Sequence, residues 1–312
     1  MDPTVLVAGE TLVDFLPATE TPLADTDEFA RQPGGAPANV AVRLAQLDRP
    51  PWFWTRVGAD PFGDFLADAL ADRGVPDRFV ERDPDAKTTL AFVSGDPEEG
   101  PRFTFYRDGT ADTRFETGRV PDEALSGVEW VVVGSVLLAS SPSREAVHDL
   151  VERANDAGCT VVFDLNARPE LWTDADFEEA VRRLLPAVDV LKTSHEDLEP
   201  AGFDGSTLDA VAPRLHELGP HTIFLTLGEA GAAAAASEEA PWGPDEAVHE
   251  GYAVDAVDTT GAGDAFTAGV VDALAAGDRS LAAALDRGNA VAAASTTRAG
   301  GMAELPDPDS VL

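Results

Sequence analysis

Short β-branched apolar runs alternate with helical stretches along this chain, and that rhythm restricts the fold more than any other feature. Val5-Leu6-Val7-Ala8, Trp130-Val131-Val132-Val133, Thr160-Val161-Val162-Phe163, Asp189-Val190-Leu191 and Thr222-Ile223-Phe224-Leu225 read as buried strands bounded by polar or glycine positions. Helical patterns fall around 143–157, 175–185 and 206–218. Such alternation predicts an α/β fold: a mostly parallel sheet with helices on both faces. Open parallel sheets bind ligands beyond the carboxyl ends of their strands. Gly9-Glu10, Gly134-Ser135, Asp164-Leu165-Asn166, Thr193-Ser194 and Thr226-Leu227-Gly228 follow the strands and are expected to rim one cleft.

Two stretches break the rhythm. Thr88–Val93 and Arg102–Arg107 alternate in the strand manner across a turn-rich connection, Gly95–Pro101, with no helix between them. They predict a hairpin in a small separate sheet, joined by the segment around 12–31. No internal repeat is present, and Ala232–Ala236 reads as low complexity too short to matter.

Charge narrows the partners. With 22 Lys plus Arg against 57 Asp plus Glu, the formal net charge is −35, which argues against nucleic acid and anionic membranes. Hydrophobic residues make up 44%, too many for a disordered chain. Lys87 and Lys192 are the only lysines and Ile223 the only isoleucine, a composition similar to that of proteins from salt-in halophiles. In molar salt the Debye length falls to about 3 Å and self-repulsion is screened; an ordinary acidic protein is the alternative. Cys159 stands alone, so no intrachain disulfide or cysteine-rich zinc site can form. Met1-Asp2-Pro3-Thr4 lacks a basic leader and no apolar run reaches bilayer length, so a soluble cytoplasmic protein is expected.

The chemistry concentrates in Asp258-Thr259-Thr260-Gly261-Ala262-Gly263-Asp264, which precedes a helical pattern reaching about Ala276. Small residues before a helix let backbone N–H groups and the helix dipole converge on an anion. A carboxylate at Asp264 could then accept a proton from a hydroxyl attacking phosphorus held there. No lysine follows the glycines, so this is not a Walker loop. The plainer alternative is a glycine-rich helix start with Asp264 as a cap. Gly34-Gly35-Ala36-Pro37-Ala38-Asn39 opens another helix: the glycines allow close approach of a ligand, and Asn39 offers a donor and an acceptor to a polyol. Taken singly it also reads as a plain turn.

Together, in this order and about 220 residues apart, the two segments resemble the paired signatures of the ribokinase/PfkB carbohydrate kinases. Intermediate strings agree along nearly the whole chain: Gly9–Phe15, Val57–Gly63, Phe103–Arg107, Phe163–Arg168, Thr226–Gly228 and Thr297–Gly301. Fructokinase-like members are the most similar. The resemblance implies a ribokinase-like three-layer domain over 1–312, with a small β-sheet lid from about 12–31 and 86–118 that closes over the sugar. It implies an ATP-dependent kinase with Asp264 as general base and the N–H groups of Gly261, Ala262 and Gly263 on the transferring phosphoryl. Asp14, Gly34, Gly35, Asn39, Arg107 and Arg168 are expected on the sugar, and Ser194, Thr226, Gly228, Gly231 and Asn289 along the nucleotide. Asp258 and Thr260 match positions that bind a monovalent cation such as K⁺.

One string departs from the family. Ser194-His195-Glu196-Asp197 ends in Asp where a Glu tied to Mg²⁺ is usual; contact through a water or a plain solvated turn are the two readings of Asp197. Fructose is the leading acceptor, 2-keto-3-deoxygluconate the alternative on account of the two arginines. A non-catalytic sugar or nucleotide sensor is the competing class, disfavoured because a sensor gains nothing from the base Asp264. Lid strands with free edges point to a homodimer.

Overall fold

The computed structural model describes residues 2–18, 22–96, 100–172, 177–205 and 207–311. Among the described residues, thirteen strands form in chain order: β1 (Val5–Ala8), β2 (Leu12–Pro17), β3 (Phe29–Gly34), β4 (Trp52–Gly58), β5 (Val80–Asp83), β6 (Leu90–Asp96), β7 (Gly100–Tyr106), β8 (Trp130–Gly134), β9 (Thr160–Asp164), β10 (Val190–Ser194), β11 (Thr222–Thr226), β12 (Ala232–Ala236) and β13 (Asp245–His249). The helices are α1 (Ala36–Gln46), α2 (Pro61–Ala71), α3 (Asp122–Leu125), α4 (Ser143–Asp156), α5 (Phe177–Leu184), α6 (His195–Leu198), α7 (Leu208–His216), α8 (Ala262–Ala275) and α9 (Leu281–Thr296). The start of the helix expected from 175 and the tip of the hairpin lie outside the described residues.

Nine strands make one sheet in the order β13-β12-β11-β10-β9-β8-β1-β4-β5. It is parallel except where β12 pairs with β11 and with β13. Successive side chains on a strand point to opposite faces, so each buried strand feeds two cores. Leu6, Ala8, Val131, Val133, Val161 and Ile223 pack under α4, α5 and α7. Val5, Val7, Val132, Val162 and Phe224 pack under α1, α8 and α9. Burying each valine, leucine, isoleucine or phenylalanine among them stabilises the fold by about 1.5–3 kcal/mol. This three-layer α/β arrangement is the one the strand rhythm predicts.

The alternating segments form a second sheet, β3-β2-β6-β7. Its middle strands β2 and β6 run parallel, Asp14 opposite Ala91, and each carries an antiparallel neighbour. Four strands depart from the sequence reading; β5 and β13, the edge strands of the nine-stranded sheet, are largely polar and carry no apolar run. Ala232–Ala236, dismissed as low complexity, is β12 and wholly buried. Alanine has little strand propensity, but its small side chain fits between the helical layers while both edges of β12 are hydrogen-bonded. β4 was not anticipated either, because Thr55 and Arg56 interrupt its apolar pattern; Arg56 is nonetheless buried and paired with Asp83 at 3.1 Å. No described helix is long and apolar enough to cross a membrane.

Candidate active site

Helix α8 begins at the carboxyl ends of β9 and β10. Its N-cap, Gly261, has φ 76°, a left-handed conformation that glycine adopts without strain, and a Cβ there would lie 3.0 Å from Gly301 Cα. Ala262 departs from expectation: its N–H donates to the Thr259 carbonyl at 3.1 Å. The N–H groups of Gly261, Gly263 and Asp264 have no protein acceptor among the described residues, so these three are free to receive an anion.

Asp264 lies in the first turn, 7% exposed. Asn39 Nδ2 donates to its Oδ2 at 2.7 Å, across 225 residues of sequence. Asn39, expected on the sugar, therefore spends one end of its amide on the carboxylate, while its buried Oδ1 is left without a partner. Burial, and secondarily the charge of Asp164, push the Asp264 carboxyl up to about 6; Asn39, Lys192 and Arg168 pull the other way. Such a carboxylate is ionised at neutral pH and basic enough to take a proton.

The α1 end of the site is shaped by Gly34 and Gly35. A Cβ on Gly34 would overlap the Asp14 carboxylate, and one on Gly35, at φ 106°, would come within 2.6 Å of the Glu10 carbonyl. Asp14 receives no hydrogen bond from the described residues, and burial raises its carboxyl to about 7.

Two cavities meet at the α8 N-terminus. One, of about 480 Å³, is lined by all five expected nucleotide residues, Ser194, Thr226, Gly228, Gly231 and Asn289, together with Gly263 and Phe266. Gly231 turns at φ 84° where a Cβ would overlap the His249 carbonyl. The other, of about 440 Å³, is lined by Asn166, Arg168, Lys192, Asp197 and the 261–264 turn. Asn166 holds φ 28°, a strained conformation of the kind that clusters at functional sites.

Arg107 does not join this group. Its Nε donates to Asp112 at 2.6 Å and its Nη2 to the Val136 carbonyl at 3.3 Å, and Thr89 and Thr110 complete the buried network around Asp112. Arg168 donates to the Ala167 carbonyl at 2.8 Å and has no carboxylate partner among the described residues. Asp197 is no solvated turn residue: it is buried, accepting from Ala167 N at 2.7 Å, Ser194 N at 2.9 Å and Ser194 Oγ at 2.6 Å. Asp258 accepts from the backbone of Thr260 at 2.9 Å and of Gly300 at 2.8 Å, tying the signature to the C-terminal turn. No cluster of three metal-ligating side chains occurs among the described residues. Sequence reasoning placed Asp164 on the rim of the cleft without a role and missed Lys192, although a lysine within a buried apolar run, in a chain with two lysines, is a visible signal.

A helix N-terminus with free N–H groups and a buried carboxylate beside it, opening on two joined cavities, is an arrangement suited to phosphoryl transfer to an alcohol. The chain belongs to the pfkB family of carbohydrate kinases, whose family model matches residues 2–308. It is 34% identical to a fructokinase of Vibrio alginolyticus over 317 aligned residues, 99% of this chain and 97% of that protein. The crystal structure of fructokinase with bound ATP from Xylella fastidiosa has a TM-score of 0.84 and 29% identity, covering 100% of this chain and 97% of that one. A double-mutant fructokinase of Vibrio cholerae, in a fructose, ADP and potassium ion bound form, has a TM-score of 0.81 and 29% identity, covering 100% and 98%.

Proposed function

We propose that this sugar kinase transfers the γ-phosphoryl of ATP to a hydroxyl of fructose. The observation that carries the chemistry is Asp264, buried, held by Asn39 and set beside unsatisfied N–H groups. Asp264 takes the proton of the attacking hydroxyl as its oxygen bonds to phosphorus and the bond to the β-phosphate oxygen breaks, releasing ADP. Gly261 and Gly263 hold the oxygens of the transferring group, and Asn39 Oδ1 and Asp14, which have no hydrogen-bond partner among the described residues, are the acceptors left for sugar hydroxyls. The β2/β3/β6/β7 sheet acts as the lid, excluding water. Tyr106, 61% exposed on that sheet, marks the face through which two copies would pair.

The residues present fit Mg²⁺ carried mainly by nucleotide phosphates and water, since Asp197 already accepts from three donors and Glu196 beside it, which lines both cavities, has no partner among the described residues. Bound there, the ion would neutralise phosphate charge. A monovalent cation at the Asp258–Thr260 loop is part of the same proposal, supported by the potassium-bound relative.

The choice of a neutral ketose rests on Arg107, whose charge Asp112 already neutralises. An acid sugar would find Arg168, which has no carboxylate partner among the described residues, and this keeps 2-keto-3-deoxygluconate as the second reading. Measuring kcat/KM with ATP in high salt for fructose, 2-keto-3-deoxygluconate, ribose and glucose tests this. Fructose is expected to lead; a higher value for the acid would overturn the substrate and leave the kinase chemistry standing.

A further inference from the structure

A buried ion pair lies behind the anion hole, and proton abstraction by Asp264 does not consume it. Lys192 Nζ on β10 sits 3.0 and 3.3 Å from the two carboxylate oxygens of Asp164 on β9. Thr267, one turn along α8 from Asp264, donates to Asp164 at 3.0 Å and also lies 3.1 Å from the Gly263 carbonyl. Both charged side chains are 7% exposed. A Cβ on Gly263 would fall 3.2 Å from Nζ, so the ammonium lies directly against the turn that forms the hole. It also lines the cavity that contains Asp264.

Burying an ammonium is costly, and an apolar side chain of similar size would often serve stability as well. Here burial is outweighed by carboxylates, Asp164 first, then Asp197 and Asp264, and the ammonium stays charged. Asp264 is faced by Asn39 and Arg43 from α1, Asp164 from β9, Arg168 from the following loop and Lys192 from β10. Burial, Asp164 and the incoming phosphates all favour a protonated Asp264; such an acid could not accept the hydroxyl proton.

We propose that Lys192, locked by Asp164 and Thr267, is a positioning residue for the reaction: it supplies the positive charge that keeps the buried Asp264 in its proton-accepting form. The proposal rests on Asp264 being the base. The test is the pH profile of kcat at saturating ATP and sugar for the parent, Lys192→Met, Lys192→Arg and Asp164→Asn. Lys192→Met is expected to move the acid limb up. A shift of about one unit would lower the rate at pH 6 about fivefold and spare it at high pH. Lys192→Arg should restore the limb, and Asp164→Asn should move it down. A rate lost equally at every pH, with the limb unmoved, overturns the proposal. If Lys192→Met does not fold, Asp164→Asn decides: an unmoved or raised limb overturns it. Two controls separate this from failure of the base assignment. Near-parent kcat in Asp264→Asn would sink the base alone, while carbon-13 NMR titration of the Asp264 carboxyl in parent and Lys192→Met reads the effect of the lysine without turnover, and an identical titration overturns the proposal.

Discussion

Glu10, at the carboxyl end of β1, is 3% exposed and its Oε2 has no hydrogen-bond partner. Burial raises its carboxyl to about 8, against opposing contributions from its own backbone N–H and from Arg107. The folded protein therefore holds a proton at Glu10 that the unfolded chain, titrating near 4.5, has released. Stability from this group is complete below pH 4.5 and is lost as the pH rises towards 8, since the unfolded state gains by ionising. At pH 7 the difference of about 2.5 pH units corresponds to about 3 kcal/mol as an upper bound. Glu10→Gln removes the titration and keeps the shape. Its buried amide adds a cost independent of pH, so the slope is the readout. Relative to the parent, the variant should gain stability by up to about 1.4 kcal/mol per pH unit between pH 5 and 7.5. Thermal and denaturant unfolding of both proteins at fixed high salt measure this. A stability difference that does not change with pH would refute the buried, protonated Glu10.

Asp264→Asn should lower kcat about 10²–10⁴-fold with little change in sugar affinity, measured by ADP release and by equilibrium binding. In the parent, kcat should fall as the pH drops through about 6, because protonation disables the base; a rate constant down to pH 5 would contradict this. Asp14→Asn should act mainly on sugar KM, measured by steady-state kinetics, as its carboxylate has no hydrogen-bond partner among the described residues and is proposed to bind the sugar. With 57 acidic against 22 basic side chains, the melting temperature should rise from low to molar KCl, and a flat curve by circular dichroism would end the halophile reading.

Local pattern determined the architecture and the address of the chemistry. Strand and helix periodicity are properties of a few consecutive residues, so β1, β8, β9, β10 and β11 and three of the helices could be read directly. The 258–264 turn was legible too, because glycine at 261 answers a local demand for a left-handed backbone. Propensity failed at β12, where neighbours on both edges and packing on both faces decide the conformation of five alanines. Tertiary structure alone decided the partners. Asn39 reaches Asp264 because α1 and α8 lie side by side on one face of the sheet. Arg107 is claimed by Asp112 and not by the pocket, and Asp197 by the turn it caps. Lys192 and Asp164 sit on adjacent parallel strands, opposite each other in register, 28 residues apart. Such pairings depend on distances set by the whole fold, and the energy of a buried charge depends on what surrounds it in space rather than on its neighbours in the chain.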